Sequence, residues 1–104
     1  MRQGEIWVNK KLAGLLTEDD DGYSFSYQKE YLKNKESLPV SLTLPLKEKA
    51  FYSETLFPFF DGLIPEGWLL NIAQKNWKIN PRDRMGLLLT TCRDCIGNIS
   101  VVEV

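Results

Sequence analysis

Few residues in this sequence have the types and spacing that chemistry requires. Cys92 and Cys95 form one Cys-x-x-Cys pair, a spacing used by structural zinc sites and by redox dithiols. A zinc site needs four ligands, and the chain has no second cysteine pair and no histidine. In a thioredoxin-like dithiol the nucleophilic cysteine lies at the start of a helix that follows a strand, whereas Cys92 lies at the end of a helical pattern. We therefore favour two small thiols, buried or half-buried, at a helix-to-strand corner.

The other candidate sites are weaker. The acidic run 18–21 could attract a hard cation, but its carboxylates are contiguous, and calcium loops space their ligands at alternate positions. A solvated hairpin tip is the better interpretation. Gly62 and Gly67 have the spacing of the two glycines in a phosphate-binding loop, but Trp68 follows them at the position where such a loop needs lysine. Without histidine the common catalytic triads are excluded, so we expect no catalytic residues, no metal and no cofactor.

Composition excludes several classes of partner. The chain has 104 residues, of which 43% are apolar and 26% are charged, and this is typical of one globular domain over residues 1–104. Thirteen basic and fourteen acidic residues leave a net charge of -1, so no overall field attracts nucleic acid or a membrane surface. No apolar run approaches the roughly 20 residues that span a bilayer, and the amino terminus alternates polar with apolar residues. We expect a cytoplasmic protein.

The elements that must position any site fall into two unlike halves. In the first half, period-two alternation with β-branched and aromatic residues predicts strands. These predicted strands cover residues 5–9, 12–18, 22–27 and 40–44. Asn9, Lys10 and Lys11 fit a tight turn, and Gly22 can take the positive φ that the acidic loop requires. The closing run GNISVVEV predicts a strand that returns to the amino-terminal sheet.

Three helices are predicted after residue 53. The first carries an apolar stripe at helical spacing, formed by Leu56, Phe59, Phe60 and Leu63. The second begins at Pro65, and the third has Asn80 as N-cap, Pro81 in the first helical position and Asp83 in the first turn. The buried face of this third helix comprises Met85, Leu88, Leu89 and Cys92. The fold class is therefore α+β, a small antiparallel sheet of an N-terminal meander plus a C-terminal strand, packed against about three helices.

The middle helix raises the question of where Trp68 points. At 100° per residue its apolar residues fall within an arc of about 160°. These residues are Leu69, Leu70, Ile72, Ala73 and Trp77. Trp68 projects about 40° beyond Ile72, on the polar side shared with Asn71 and Lys75. Two interpretations remain open: Trp68 folds back over the rim of the core, or it is a partly exposed anchor for a partner protein.

Several short motifs also follow one another in a defined order: FSYQKEYL (25–32), SLTLPL (41–46), LIPEG (63–67) and DCIG (94–97). In this order they resemble the N-terminal subdomain of the HipA family of Ser/Thr-kinase toxins, over roughly residues 6–102. Two positions depart from the family pattern. Cys92 stands close to where the family often has glycine, and Asn98 replaces the usual alanine.

The resemblance implies a partner. Because the chain is expected to end at Val104 with no kinase after it, it resembles the HipS antitoxins of three-gene HipBST toxin–antitoxin systems. It then implies binding to a HipT-like Ser/Thr kinase toxin and silencing of that kinase, with a HipB-like DNA-binding protein as a third component. Trp68 would enter the kinase cleft, while Pro65, Glu66, Gly67 and Asn71 fix its approach. The alternative is a non-inhibitory structural or regulatory subdomain of a split HipA-type kinase.

Overall fold

The computed structural model describes residues 1–64, 82–92 and 98–104. Within these ranges five strands form one antiparallel sheet of order β4-β3-β2-β1-β5. The strands are β1 (Arg2–Val8), β2 (Lys11–Asp19), β3 (Gly22–Tyr27), β4 (Phe51–Ser53) and β5 (Ile99–Glu103). The helices in the same ranges are α1 (Lys29–Lys33), α2 (Pro58–Asp61) and α3 (Arg84–Thr91). The predicted fold class is confirmed, including the return of the C-terminal strand to pair with β1.

Two turns connect the first three strands as the sequence predicts. Asn9 and Lys10 have φ values of 50° and 68°, so both central residues of the β1–β2 hairpin are left-handed, as a type I′ turn requires. Gly22 has a φ of 136° at the β2–β3 turn. A Cβ atom at Gly22 would lie 2.5 Å from the Ser53 carbonyl oxygen, so glycine is required there by both conformation and space.

The prediction of a strand over residues 40–44 is wrong. These residues form a turn in which the Leu44 N–H donates to the Ser41 carbonyl at 3.0 Å, with one isolated bridge between the same two residues. Pro39 and Pro45 flank the turn, and proline cannot donate a ladder hydrogen bond. The edge strand is β4 instead, which begins seven residues after Leu44.

The helices differ from the prediction in their limits. The structure adds α1, which the sequence analysis did not predict, and it confines α2 to one turn. The third predicted helix begins at Arg84 with Asp83 as its N-cap, three residues after the predicted start at Pro81. Asn80, Pro81 and the whole middle helix predicted from Pro65 lie outside the described residues.

The core lies between one face of the sheet and the helices. Its largest fully buried side chains are Ile6, Leu16, Phe25, Phe60, Met85, Leu87, Leu88, Cys92 and Val101. The predicted buried face of α3 is confirmed, because Met85, Leu88, Leu89 and Cys92 are all buried. Gly4 and Gly14 allow close packing on this face; a Cβ atom at Gly4 would lie 2.8 Å from Leu89 Cδ2. Across the described segments, no helix combines the length and apolarity needed to cross a membrane.

Candidate partner-binding surface

The predicted partner-binding residues Pro65, Glu66, Gly67, Trp68 and Asn71 lie outside the described residues. The structure does describe the chain on both sides of the segment 65–81 that contains them. Two contacts join these flanks. They hold the chain that enters the segment close to the chain that leaves it.

The first of these contacts is an ion pair. Arg84 Nε donates to Asp61 Oδ1 at 2.6 Å, which links the start of α3 to the end of α2. The hydrogen bond to Asp61 raises the pKa of Arg84 above its ordinary value. Both side chains are partly exposed, so we expect the pair to contribute no more than about 1 kcal/mol to the free energy of folding. The main role of the ion pair is to hold the end of α2 next to the start of α3.

The second contact involves the Cys92 thiol. Cys92 is a buried free cysteine at the C-cap of α3, and its Sγ donates to the Leu63 carbonyl oxygen at 3.3 Å. Its backbone carbonyl accepts from Val101 N at 2.8 Å. The prediction of a buried thiol at a helix-to-strand corner is therefore confirmed for Cys92, while Cys95 lies outside the described residues.

A network of polar and charged side chains fixes the start of α3 to β1, β2 and β3. Arg2 donates two hydrogen bonds to the Asp83 carboxylate, at 2.6 and 2.8 Å, and a third to Glu18 at 2.7 Å. Glu18 also accepts from the Tyr23 hydroxyl at 3.1 Å, and Asp83 accepts from the Gly86 N–H at 3.1 Å. Asp83 is thus the N-cap of α3 and one half of a bidentate ion pair. Every member has a partner, which indicates a structural clamp.

The pKa shifts in this network follow from its hydrogen bonds. The hydrogen bonds from Arg2 lower the pKa of Asp83 below its ordinary value, and the Gly86 N–H acts in the same direction. The hydrogen bond to Asp83 correspondingly raises the pKa of Arg2. Burial, together with the hydrogen bond to Glu18, raises the pKa of Tyr23.

Acid should weaken the clamp. Because the pKa of Asp83 is lower in the fold than in the unfolded chain, its contribution is present above about pH 4 and is lost as pH falls through the folded-state pKa. Asp83→Asn retains an N-cap acceptor but loses the charge, so we expect it to lower the free energy of unfolding by about 1 kcal/mol at pH 7. Urea unfolding at pH 7, 4 and 2.5 should show the two proteins converging in acid. Glu30→Gln, at an exposed site, is the control; a constant difference between wild type and Asp83→Asn at all three pH values would contradict the assignment.

A second exposed feature is the leucine loop, which we define as residues 37–47. Its apolar side chains alternate between core and solvent. Val40 and Leu44 are buried, whereas Leu38, Leu42 and Leu46 are 58%, 95% and 37% exposed. The sequence analysis missed this surface because apolar residues at every second position are also typical of a strand, in which Val40, Leu42 and Leu44 would face one side. The two prolines that flank the turn are the signal that could have distinguished the two cases.

Tyrosine hydroxyls hold the leucine loop in place. The Tyr27 hydroxyl donates to the Leu44 carbonyl and accepts from the Val40 N–H at 2.9 Å, and both bonds are buried. The Tyr31 hydroxyl donates to the Leu38 carbonyl at 2.6 Å. The two rings stack with centroids 6.0 Å apart. The loop is therefore fixed to β3 and α1 through long-range hydrogen bonds.

In the ranges 1–64, 82–92 and 98–104, no three cysteine, aspartate or glutamate side chains form a group that could hold a metal ion. The acidic loop at 19–21 forms a hairpin tip, in which the Asp21 N–H donates to the Asp19 carboxylate at 2.8 Å. This local hydrogen bond is typical of a turn.

Comparison with known proteins places the domain in a family. Residues 4–102 match the family model described as the HipA N-terminal domain. A solved structure of the N-terminal domain of HipA toxin superposes with a TM-score of 0.76 at 32% sequence identity, covering 100% of this chain and 93% of that one. The chain therefore belongs to the HipA N-terminal domain family, and the resemblance found in the sequence is confirmed. The similarity supports a HipA-related component of a toxin–antitoxin system.

Two relatives show the domain in different chains. An uncharacterised protein of Haemophilus influenzae is 34% identical over 103 residues, which are 99% of this chain and 93% of that protein. A protein of Sinorhizobium fredii named putative kinase Y4mE is 26% identical over 98 residues, which are 93% of this chain and 23% of that protein. The domain thus makes up nearly all of one relative and about a quarter of the other.

Proposed function

We propose that this protein is an antitoxin that neutralises a HipA-like Ser/Thr kinase toxin, of the HipT kind, by direct protein–protein binding. One observation carries the proposal. The same domain occupies 23% of a relative named as a putative kinase and 93% of a Haemophilus protein. A surface that packs against a kinase within one chain is suited to bind a kinase supplied as a separate chain. Family membership supports the same class of partner.

The proposed inhibitory element is the indole of Trp68. It enters the kinase cleft, and Pro65, Glu66, Gly67 and Asn71 fix its approach. Tryptophan is the residue type most enriched among interface hot spots. The paired flanks support the proposal, because the Asp61–Arg84 ion pair holds together the chain on the two sides of the segment, and the Cys92–Leu63 hydrogen bond joins the far end of α3 to the same entry. Tied ends reduce the conformational entropy that binding must remove.

The complex that we propose has three protein components. The protein acts in the cytoplasm as one domain over residues 1–104, and it has no enzymatic activity of its own. A HipB-like DNA-binding protein joins the kinase and this chain in a ternary complex. The chain makes no direct contact with nucleic acid, in keeping with its net charge of -1.

Phosphate transfer by the kinase tests the proposal directly. The purified chain is titrated into a fixed amount of its cognate kinase, and incorporation of phosphate into protein is followed. We expect the rate to fall towards zero as one equivalent is approached. A non-inhibitory subdomain of a split kinase predicts the opposite sign, since it would stabilise or activate the kinase. A rate that stays constant or rises would therefore overturn the antitoxin proposal.

Trp68→Ala tests the inhibitory element. Removing a hot-spot tryptophan costs about 2 kcal/mol or more, which corresponds to about a 30-fold increase in Kd at about 1.4 kcal/mol per factor of ten. We expect inhibition to weaken to the same extent. Tyr52→Ala is the matched control, because Tyr52 is a large aromatic residue with 81% exposure on edge strand β4. Equal inhibition by Trp68→Ala and the unmodified protein would exclude Trp68 as the inhibitory element.

A further inference from the structure

The leucine loop exposes three apolar side chains to solvent although its other apolar residues are buried. Leu42 is 95% exposed, and it lies at the tip of a turn whose neighbours Val40 and Leu44 supply the core contacts. Leu38 and Leu46 are exposed on either side of it. The loop lies within the residues matched to the family, so it is part of the domain itself. Exposed apolar surface concentrated in one part of a domain marks an interaction site, and this loop has three exposed leucines within nine residues.

The turn that carries Leu42 is preorganised. Besides the bonds to Tyr27, the Ser41 and Thr43 hydroxyls are 3.0 Å apart, and the Thr43 N–H donates to Ser41 Oγ at 3.3 Å. Seated in this way, Leu42 can enter a pocket without ordering the backbone. A preorganised loop binds more tightly than a flexible one, because less conformational entropy is lost on association.

The charge around the loop indicates what it would bind. Residues 33–49 carry four lysines and two glutamates, whereas the whole chain has a net charge of -1. Beside the loop lies an open cleft of about 540 Å³, lined by Tyr27, Lys29, Leu32, Lys33 and Glu48. Two lysines and one glutamate thus border a cleft with apolar walls, and Lys33 also forms an exposed ion pair with Glu30 at 3.7 Å. This surface is complementary to an apolar pocket with acidic side chains at its rim.

We propose that the leucine loop is a second docking surface for the kinase partner, with Leu42 inserted into an apolar pocket of the kinase and Lys29 and Lys33 facing acidic residues at the pocket rim. This inference rests on the proposed function. The occupant is assigned from the Sinorhizobium relative, in which the matched domain shares one chain with a much longer remainder and the protein is named a putative kinase. The antitoxin would then contact the kinase at two separate places: Trp68 in the catalytic cleft of the kinase, and the leucine loop in a pocket outside that cleft.

Leu42→Asp tests this docking surface. Because Leu42 is almost fully exposed, the variant should unfold at the same urea concentration as the unmodified protein. We expect its Kd for the purified kinase, measured by titration calorimetry, to rise at least 10-fold, while Leu42→Met stays within about 2-fold. Lys29→Glu with Lys33→Glu should also raise the Kd and reduce its dependence on salt. Tyr52→Asp, at another exposed apolar site, is the control.

The outcomes separate the two proposals. If the unmodified chain binds and inhibits the kinase while Leu42→Asp binds equally tightly, the docking surface is wrong and the antitoxin proposal stands. If the unmodified chain does not bind the kinase, the proposed function itself fails. Analytical ultracentrifugation tests whether a second copy of this chain occupies the leucine loop instead. The inference is overturned if the unmodified chain is a dimer, Leu42→Asp is a monomer, and both bind the kinase with the same affinity.

Discussion

Replacing Phe60 with alanine should lower the free energy of unfolding by about 3–5 kcal/mol. Phe60 is fully buried in α2, where its ring centroid lies 5.4 Å from that of Phe25, 6.0 Å from that of Phe57 and 5.3 Å from that of Phe59. Truncation would leave a cavity between the sheet and the helix. The loss is large because these neighbours are held by β3 and by the turn itself and can fill the space only partly.

Phe59→Ala is the matched control for Phe60→Ala. Phe59 is adjacent in the chain and has the same side chain, but it is only partly buried. Its removal should cost less than half as much. Urea unfolding followed by far-UV circular dichroism would measure both variants, and similar losses for the two would contradict the assignment of Phe60 to the core. Because α2 leads directly to the predicted anchor segment, we also expect Phe60→Ala to weaken kinase binding.

Tyr27→Phe should cost about 2–4 kcal/mol, although it removes a single oxygen atom. That oxygen accepts from the Val40 N–H and donates to the Leu44 carbonyl in buried hydrogen bonds. Each buried polar group left without a partner costs about 1–3 kcal/mol. The variant should therefore release the leucine loop from β3. Its binding to the kinase should weaken for the same reason.

Tyr31→Phe is the control for Tyr27→Phe, because the Tyr31 hydroxyl makes one partly buried bond, to Leu38. It should cost only about 1 kcal/mol. Chemical unfolding at pH 7 would measure both variants. Equal, small losses would show that the loop does not depend on the Tyr27 hydroxyl.

Alkaline pH provides an independent measurement for Tyr27. Burial raises the pKa of the Tyr27 phenol above its ordinary value, and burial does the same for Tyr31. The stability that depends on the neutral Tyr27 hydroxyl is therefore fully present below about pH 10 and is lost as pH rises through the folded-state pKa. Part of this alkaline loss should disappear in Tyr27→Phe.

Strands β1, β2, β3 and β5 could be predicted from the sequence because their signals are local. Alternating side chains decide which face of a strand is buried, and the turn residues Asn9, Lys10 and Gly22 decide where the chain reverses. The buried face of α3 was predicted for the same reason, by helical spacing. Leu87 was missed because α3 contacts both α2 and β5, so more than one side of the helix is covered.

The segment 40–44 shows where local signals fail. Its alternation was sufficient to predict a strand, yet the Tyr27 hydroxyl, held on β3, bonds the backbone of Val40 and Leu44 where a strand would have ladder hydrogen bonds. The clamp of Arg2 on Asp83 joins residues 81 positions apart, and no periodicity in the sequence pairs them. As for the candidate site, the sequence predicted Trp68 and its neighbours, which remain a prediction, and it missed the leucine loop.

The sequence alone determined the fold class and the order of strands in the meander, because these depend on patterns that repeat within a few residues. It also determined the family, because short motifs follow one another in a defined order between residues 25 and 97. Only the tertiary structure decided which apolar residues are covered and which remain exposed. Val40 and Leu42 are equally apolar and two positions apart, yet one is buried and the other is 95% exposed. The difference arises from the two hydrogen bonds of Tyr27, a residue distant in the chain, which turn one side chain inward and leave the other in solvent.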